Sequence, residues 1–478
     1  MVPNVQRCAD ALNAHFGEIG GGVVVCVRDG EVLEYSAFGC ADSSTGRKFT
    51  DRSVFDIASC SKAFTTMLIS ILCDEGKMDW DAPVRTYIPE FHLGDEYVSA
   101  HMTLRDMACH RSGLASHNLM RRLRYEDVHT CEEYAKRIMN LPLSDGFRNT
   151  FHYQNELYLL LGIAAERVTG ELWENLIIER IAEPLGMRLY FRGSEKFGRP
   201  HFLPEDDPDI AMPHLEDHGA WEVTFHDPFA LNNPCGGIRT DLAGMRRWVE
   251  MIARGGTLPD GRRLVSEKEF RRMMTPMIYW SSPMKPDRMR CYGLGWAPSV
   301  YRGEDAVYHG GSLRGFRSAM GYLPERHAAV FTSVNVGPDA TRATYLKYAL
   351  YDLAMGILDA DYSADMDALM QRQAQAEKNR KKDPAPVPTT ETEAEKYAGH
   401  WWSDAYGDLE ISANADGSLH LSYGRDRGDL PCTGERKYQG RMEECGAELC
   451  DLRFSEDGQN ATLSICEVYT PVPFRRIG

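Results

Sequence analysis

The sequence predicts a mixed α/β fold followed by a small all-β barrel. Segments with strand character lie near residues 23–36 and again at 292–334, with mainly helical patterns between them. This layout indicates a domain whose sheet joins its two ends. A stretch rich in Lys, Pro and Thr then precedes short strands with Asp-Gly turns. We therefore predict a domain over residues 1–370, a linker over 371–396 and a barrel over 397–478.

The first elements are a helix over residues 4–18 and a hairpin. The apolar run Val23–Val27 and the run Val32–Ser36 flank the dipeptide Asp29-Gly30. Asp-Gly is a favoured two-residue hairpin turn, so these runs are predicted to be paired strands.

The next element is a helix whose apolar residues recur at helical spacing, namely Phe64, Met67, Leu68, Ile71 and Leu72. This pattern predicts an amphipathic helix with one buried face, ended by Gly76. Ser59 and Lys62 lie one turn apart at its start, where the lysine amine can reach the serine hydroxyl. A serine needs a base to become a nucleophile, and a lysine is a base only when burial or nearby cations lower its pKa.

The remaining elements follow in chain order. Further helices are predicted at residues 103–114, 157–170, 173–181, 240–254, 266–275 and 338–358. Strands are predicted at Tyr292–Trp296, Val307–His309, Ala319–Leu323 and Ala328–Val334. The aperiodic segment 189–231 is predicted to be a long surface loop that influences substrate selectivity.

The Ser-x-x-Lys pair is not specific by itself. A second match, Ser282 to Lys285, occurs among prolines that favour a loop. Without further motifs, Ser59 or Ser61 capping a core helix is about as plausible as catalysis.

Two further motifs carry chemical groups. Tyr153-Gln-Asn155 stands where a loop enters a helix, although a core tyrosine and a capping asparagine are the commoner fate of such a pair. His309-Gly-Gly311 follows a short strand, and glycines there permit close approach of a ligand to the backbone.

Together these motifs resemble those of class C serine β-lactamases, penicillin-binding carboxypeptidases and their esterase, D-aminopeptidase and amidase relatives. The family order is Ser-x-x-Lys, Tyr-x-Asn and Lys/His-x-Gly, which this chain supplies as Ser59/Lys62, Tyr153/Asn155 and His309/Gly311. The resemblance covers residues 10–358 and implies an antiparallel sheet flanked by helices. The tail from Tyr397 resembles, more faintly, the lipocalin-like barrel appended to some of these hydrolases.

The resemblance implies that Ser59 forms an acyl-enzyme, with Lys62 and Tyr153 sharing the proton transfers. It further implies that Asn155 holds Lys62 or the substrate amide, and that the backbone N–H groups of Ser59 and Ser312 form an oxyanion hole.

His309 and Gly311 occupy the position of the family's Lys-Thr-Gly strand. A histidine titrates near neutrality and binds a carboxylate less reliably than a fixed lysine. We therefore expect hydrolysis of an ester, amide or small peptide rather than efficient β-lactamase activity.

Composition limits the other classes of function. The net charge of −16 speaks against nucleic-acid binding, and no run is long and apolar enough to cross a membrane. The first residues have no secretory signal pattern and the 13 cysteines form no Cys-x-x-Cys pairs, so we expect a cytoplasmic protein. The histidines and acidic residues near 201–226 lack metal-ligand spacing, which favours a solvated loop. We expect neither a metal nor another cofactor.

The main hypothesis is a serine hydrolase acting on a small ester, amide or D-amino-acid-containing peptide. The alternatives are a β-lactamase or penicillin-binding protein-like enzyme, an acyl-transferase of the same fold, and a non-catalytic binding protein. The partner is a small-molecule or short-peptide substrate, and homo-oligomerisation remains open.

Overall fold

The structure is a computed structural model. It describes residues 1–16, 20–114, 128–144, 146–193, 198–204, 206–217, 220–226, 231–281, 287–337, 340–379, 383–424, 426–442, 449–465 and 471–477. The chain divides into two compact units. The first comprises Met1–Pro89, Thr103–His110 and Glu156–Gln375, and the second Glu90–Met102, Arg111–Asn155 and Ala376–Gly478. The domain bounds given above stay a prediction.

The helices, in chain order, are α1 Pro3–Phe16, α2 Ser61–Asp74, α3 Glu96–His101, α4 Leu104–Ala108, α5 Cys131–Met139, α6 Glu156–Thr169, α7 Trp173–Ile177, α8 Glu183–Leu185, α9 Asn233–Gly236, α10 Leu242–Ala253, α11 Glu267–Met273, α12 Thr341–Met355, α13 Ser363–Lys378 and α14 Glu391–Glu395.

The strands are β1 Gly21–Arg28, β2 Glu31–Asp42, β3 Arg47–Lys48, β4 Phe55–Asp56, β5 Leu189–Phe191, β6 His214–Asp217, β7 Ala220–Val223, β8 Ile238–Thr240, β9 Ile278–Ser281, β10 Asp287–Tyr292, β11 Ala297–Tyr301, β12 Glu304–Leu313, β13 Phe316–Leu323, β14 Ala328–Val334, β15 Gly399–Ser403, β16 Gly407–Ala413, β17 Leu419–Tyr423, β18 Asp426–Leu430, β19 Cys432–Gly434, β20 Lys437–Arg441, β21 Leu449–Phe454, β22 Asn460–Ile465 and β23 Val472–Ile477.

The first unit is built on an antiparallel sheet with the strand order β3-β2-β1-β14-β13-β12-β11-β10-β9. β1 pairs with β14, from Gly22 opposite Val334 to Arg28 opposite Ala328, so the sheet joins distant parts of the chain as predicted. The Asp29-Gly30 turn is confirmed as well, because both residues have positive φ angles, as a two-residue hairpin turn requires.

The helix α2 differs from its predicted form. Residues 61 to 72 are all buried, so the helix has no solvent-facing side. The prediction of an amphipathic helix with one buried face was wrong, because α2 packs among other elements all round its circumference. Ser59 itself lies in a short 3-10 turn, Ala58–Cys60, directly before α2.

Three other predictions need correction. The segment 189–231 contains the short strands β5, β6 and β7, and is therefore not a continuous loop. Residues 293–296 connect β10 to β11 rather than forming a strand. The helix that starts at Trp173 continues beyond residue 181 through a π-helical turn, Ile178–Ala182, to Leu185, where Gly186 in the left-handed conformation ends it.

The second unit contains a nearly closed barrel with the strand order β18-β17-β16-β15-β23-β22-β21-β20-β19. β18 and β20 approach so closely that a methyl group at Gly428 would overlap the carbonyl of Arg441. Trp401 and Leu463 are fully buried within it, in line with the predicted all-β domain.

Candidate active site

The turn that carries Ser59 has a strained backbone. Ala58 has a φ of 50°, in the left-handed region that residues other than glycine rarely adopt. Ala58 and Cys60 are buried, whereas Ser59 is partly exposed. The turn thus presents one hydroxyl to the outside from an otherwise buried segment, and strain of this kind often marks a functional position.

The amine of Lys62 contacts the hydroxyl of Ser59 directly. Its side chain is fully buried, and its Nζ donates to Ser59 Oγ at 3.2 Å and to the carbonyl of Cys235 at 3.0 Å. Nζ also lies 5.1 Å from the centre of the Tyr158 ring. The predicted contact between lysine and serine is therefore present, in surroundings from which water is largely excluded.

The neighbouring residues are not equivalent to Ser59. Ser61 Oγ donates to the carbonyl of Ala58 at 2.7 Å and accepts from the N–H of Ile238 at 3.1 Å, in full burial. Burial raises the pKa of the Cys60 thiol to about 12, which keeps it protonated and unreactive. Both side chains hold the turn together, and Ser59 is the residue with an accessible hydroxyl.

The strand β12 lies against the Ser59 turn at Gly311. A methyl group at Gly311 would overlap Ser318 Oγ and the carbonyl oxygen of Ile57, and it would also lie too close to the side chain of Ala58. Ser312 is exposed on the same strand, and the β-ladder with β11 ends before it, at Tyr308. Gly311 is therefore required for the close packing of β12 on the turn, and Ser312 follows on a segment with no β11 partner.

His309 is buried, with 4 % of its surface exposed. Its Nε2 lies 2.7 Å from the hydroxyl of Tyr292 and its Nδ1 lies 2.7 Å from the carbonyl of Gly310. Burial, followed by the charge of Lys62, lowers the pKa of His309 to about 3. The expectation that this histidine titrates near neutrality was wrong, because desolvation keeps the imidazole neutral.

A second buried histidine lies in the same cluster and was missed from the sequence. The ring of His110 is 4.6 Å from that of Tyr292 and 5.5 Å from that of Tyr158. Burial, followed by the charge of Lys62, holds the pKa of His110 well below its ordinary value. A lone histidine after a short helix gives no sign in the sequence that it is buried beside Tyr158 and Tyr292, because this burial depends on tertiary packing.

Tyr153 and Asn155 belong to the second compact unit, at the end of its segment Arg111–Asn155 and directly before α6 begins at Glu156. Tyr153 is partly buried, with its ring 6.5 Å from that of Phe151, and Asn155 is buried. Their position relative to Ser59 stays a prediction.

Two histidines of the 189–231 segment are buried, contrary to the expectation of a solvated loop, whereas His201 is exposed. His214 is buried against the carbonyl of Asn335 and the hydroxyl of Ser43, and His226 is buried beside Asp56. Within the described parts of the chain, no group of three or more His, Cys, Asp or Glu residues is arranged to hold a metal ion.

Three sequence motifs fall outside the described residues: the Ser282–Lys285 match, His218 and Glu205. Among the residues that are described, no helix has the length and apolar character needed to cross a bilayer.

Comparisons with known proteins identify a family and a fold. The sequence model of the family described as Beta-lactamase matches residues 9–355. The unguisins hydrolase ungD of Aspergillus violaceofuscus is 27% identical over 438 residues, which cover 84% of this chain and 75% of that protein. The esterase EstB of Burkholderia gladioli is 29% identical over 267 residues, which cover 50% of this chain and 67% of EstB.

Among solved structures, the octameric penicillin-binding protein homologue from Pyrococcus abyssi is similar in fold. The TM-score is 0.64 at 19% identity, and the alignment covers 97% of each chain. The similarity of fold therefore extends beyond the residues that the family model matches.

Proposed function

The chain belongs to the beta-lactamase family, and on that premise we propose that it is a serine hydrolase that forms an acyl-enzyme at Ser59. We propose as substrate a small ester, an amide or a D-amino-acid-containing peptide. The observation that carries the proposal is the hydrogen bond from the buried Lys62 Nζ to the partly exposed Ser59 Oγ. This arrangement joins an accessible nucleophile to a buried amine that can act as its general base.

In the proposed reaction, Ser59 Oγ attacks the substrate carbonyl while Lys62 and Tyr153 take up the hydroxyl proton. The same groups return a proton to the leaving alcohol or amine, and water then attacks the acyl-enzyme. Backbone N–H groups of Ser59 and Ser312 stabilise the oxyanion, and Asn155 holds Lys62 or the substrate amide. The scheme needs no cofactor.

The buried imidazole of His309 supports hydrolysis of an ester, amide or small peptide over efficient β-lactamase activity. A lysine at this position would offer a fixed positive charge to a substrate carboxylate. His309 is neutral, and Tyr292 and Gly310 already contact its two ring nitrogens. Two of the relatives, a hydrolase and an esterase, support hydrolysis of substrates other than β-lactams.

We also propose two properties of the whole protein. The first is self-association, because the Pyrococcus homologue is octameric. Light scattering on the purified protein tests it. A cytoplasmic location is proposed from the sequence, and fractionation of cells that express the untagged gene tests it.

The first prediction concerns the nucleophile. A fluorophosphonate should label Ser59, and Ser59→Ala should abolish labelling and lower ester or amide turnover at least about 10³-fold, because no other group replaces the nucleophile. Mass spectrometry of the labelled peptide measures the labelling. Turnover is measured with p-nitrophenyl esters, D-aminoacyl anilides and a chromogenic cephalosporin.

The control is Ser61→Ala, since the Ser61 hydroxyl is committed to backbone groups. It should lose stability and still be labelled. Labelling that persists in Ser59→Ala, or wild-type protein that gives neither adduct nor turnover, would contradict the proposed function. The second result favours a binding protein.

A further inference from the structure

Asp56 is a buried carboxylate three residues before Ser59, and three basic side chains converge on it. Arg239 Nε donates to Asp56 Oδ1 at 3.2 Å, and Arg192 Nε lies 3.2 Å from the same oxygen. His226 Nδ1 lies 3.4 Å from Oδ2. None of the four side chains is more than 3% exposed. The cluster therefore lies entirely inside the protein, close to the proposed nucleophile.

The members of the cluster come from different segments. Asp56 ends β4 and stands opposite Arg239 of β8 in the antiparallel register. Arg192 directly follows β5, and its N–H donates to the carbonyl of Gly237 at 2.8 Å. His226 follows β7. Two of the three basic residues thus belong to the 189–231 segment, so Asp56 ties that segment to the strand that leads to Ser59.

The charges make this link strong. Burial alone raises the pKa of Asp56, but the guanidinium groups of Arg192 and Arg239 outweigh burial and hold it well below its ordinary range. Burial lowers the pKa of His226, which keeps that ring neutral. One buried anion therefore lies beside two buried cations and offsets part of their charge, and removing one partner from such a set is strongly destabilising.

The backbone between Asp56 and Ser59 is strained and closely hydrogen-bonded. Ala58 is held at a positive φ, which persists only where the surroundings determine it. Ile57 is bonded on both sides, by its N–H to the carbonyl of Ile238 at 3.1 Å and by its carbonyl to Ser318 Oγ at 2.7 Å. Asp56, with its ion pairs to Arg192 and Arg239, lies at the beginning of this short, strained stretch from Asp56 to Ser59.

We propose that Asp56 is a positioning residue whose carboxylate fixes the Ala58 turn so that Ser59 Oγ faces the substrate. Because Asp56 also contacts Arg192 and His226, the orientation of Ser59 depends on the position of the 189–231 segment. This proposal rests on the proposed function, because it takes Ser59 as the nucleophile.

The test compares Asp56→Asn with Asp352→Asn. Asp352 is a fully buried carboxylate as well, and Arg302 Nε donates to it at 2.7 Å. Urea titration gives the folded fraction of each variant. The rate of fluorophosphonate labelling at Ser59 is then measured per folded molecule, together with kcat and KM for a p-nitrophenyl ester.

Asp56→Asn is expected to lower the labelling rate and kcat at least tenfold while KM changes less than twofold. Asp352→Asn is expected to lose comparable stability and to be labelled at the wild-type rate. A folded Asp56→Asn protein that is labelled at the wild-type rate overturns the proposal.

If Asp56→Asn does not fold, Arg192→Gln tests the proposal instead. This variant removes one of the two cations beside Asp56 and keeps the ion pair of Asp56 and Arg239. This variant should be labelled three- to tenfold more slowly, and labelling at the wild-type rate overturns the proposal. Wild-type protein that gives no adduct overturns both this proposal and the proposed function. A labelled wild type together with equally labelled variants overturns the positioning role alone.

Discussion

At the scale of single residues, the buried imidazole of His309 links the candidate site to stability. Its pKa in the folded protein is about 3, against an ordinary value of 6.5, so the folded state binds a proton less readily than the unfolded state. The contribution of His309 to stability is therefore complete above pH 6.5. It is lost progressively as the pH falls from 6.5 towards 3.

This argument predicts the effect of acid on His309→Gln, whose side chain does not titrate. Between pH 7 and pH 5, the wild type should lose about 2 kcal/mol more unfolding free energy than the variant, because one proton is taken up on unfolding. Urea denaturation at both pH values measures the difference. Parallel losses in the two proteins would show that the folded state accepts a proton on His309 at pH 5.

The sequence predicts which residues form the candidate site more readily than it predicts their protonation states. Ser59 and Lys62 could be predicted because their spacing on one helix turn is a local property. The protonation state of His309 and the presence of His110 could not, because both depend on packing against Tyr292 and on the charge of Lys62.

At the scale of elements, two adjacent glycines of β12 face different surroundings. A methyl group at Gly311 would overlap the carbonyl oxygen of Ile57, whereas the nearest atom to a methyl group at Gly310 is the carbonyl oxygen of Ser318, at 3.7 Å. Gly311→Ala should therefore push β12 away from the Ser59 turn and cost about 1–3 kcal/mol of stability, with slower labelling of Ser59.

Gly310→Ala is the matched control, since it changes the same strand by the same methyl group. It should change the unfolding free energy by less than about 0.5 kcal/mol, because an ordinary van der Waals contact needs no rearrangement. Thermal unfolding and the labelling rate distinguish the two variants. Equal behaviour of Gly310→Ala and Gly311→Ala would show that β12 does not depend on close packing at Gly311.

The elements themselves were predictable where their pattern is local. The Asp29-Gly30 hairpin and the strand Ala328–Val334 match the structure, because turn chemistry and a β-rich apolar run suffice. The burial of α2 on all sides was not predictable, since its polar residues, such as Thr65, are satisfied by distant backbone groups, here the carbonyl of Pro234. The strands β5 to β7 are too short to show a period.

At the scale of the whole molecule, the barrel and the segment 111–155 belong to one compact unit. The barrel contacts α5 of this segment: the guanidinium group of Arg137 lies 5.5 Å from the centre of the Trp402 ring. No local pattern reveals such a contact between residues far apart in the sequence. The segment also contains Tyr153, so the barrel supports part of the chain to which the proposed function assigns a catalytic group.

The barrel's role can be tested at Gly407, where a methyl group would overlap the guanidinium group of Arg137. Gly407→Ala should cost about 1–2 kcal/mol for its left-handed backbone and should also speed amide exchange in α5, because Arg137 must move. Gly458→Ala is the matched control: its φ of 64° is close to the 77° of Gly407, and a methyl group there meets no atom within 4 Å. Hydrogen–deuterium exchange should therefore show faster exchange in α5 for Gly407→Ala alone. Unchanged exchange in α5 would mean that the barrel does not support this segment through Arg137.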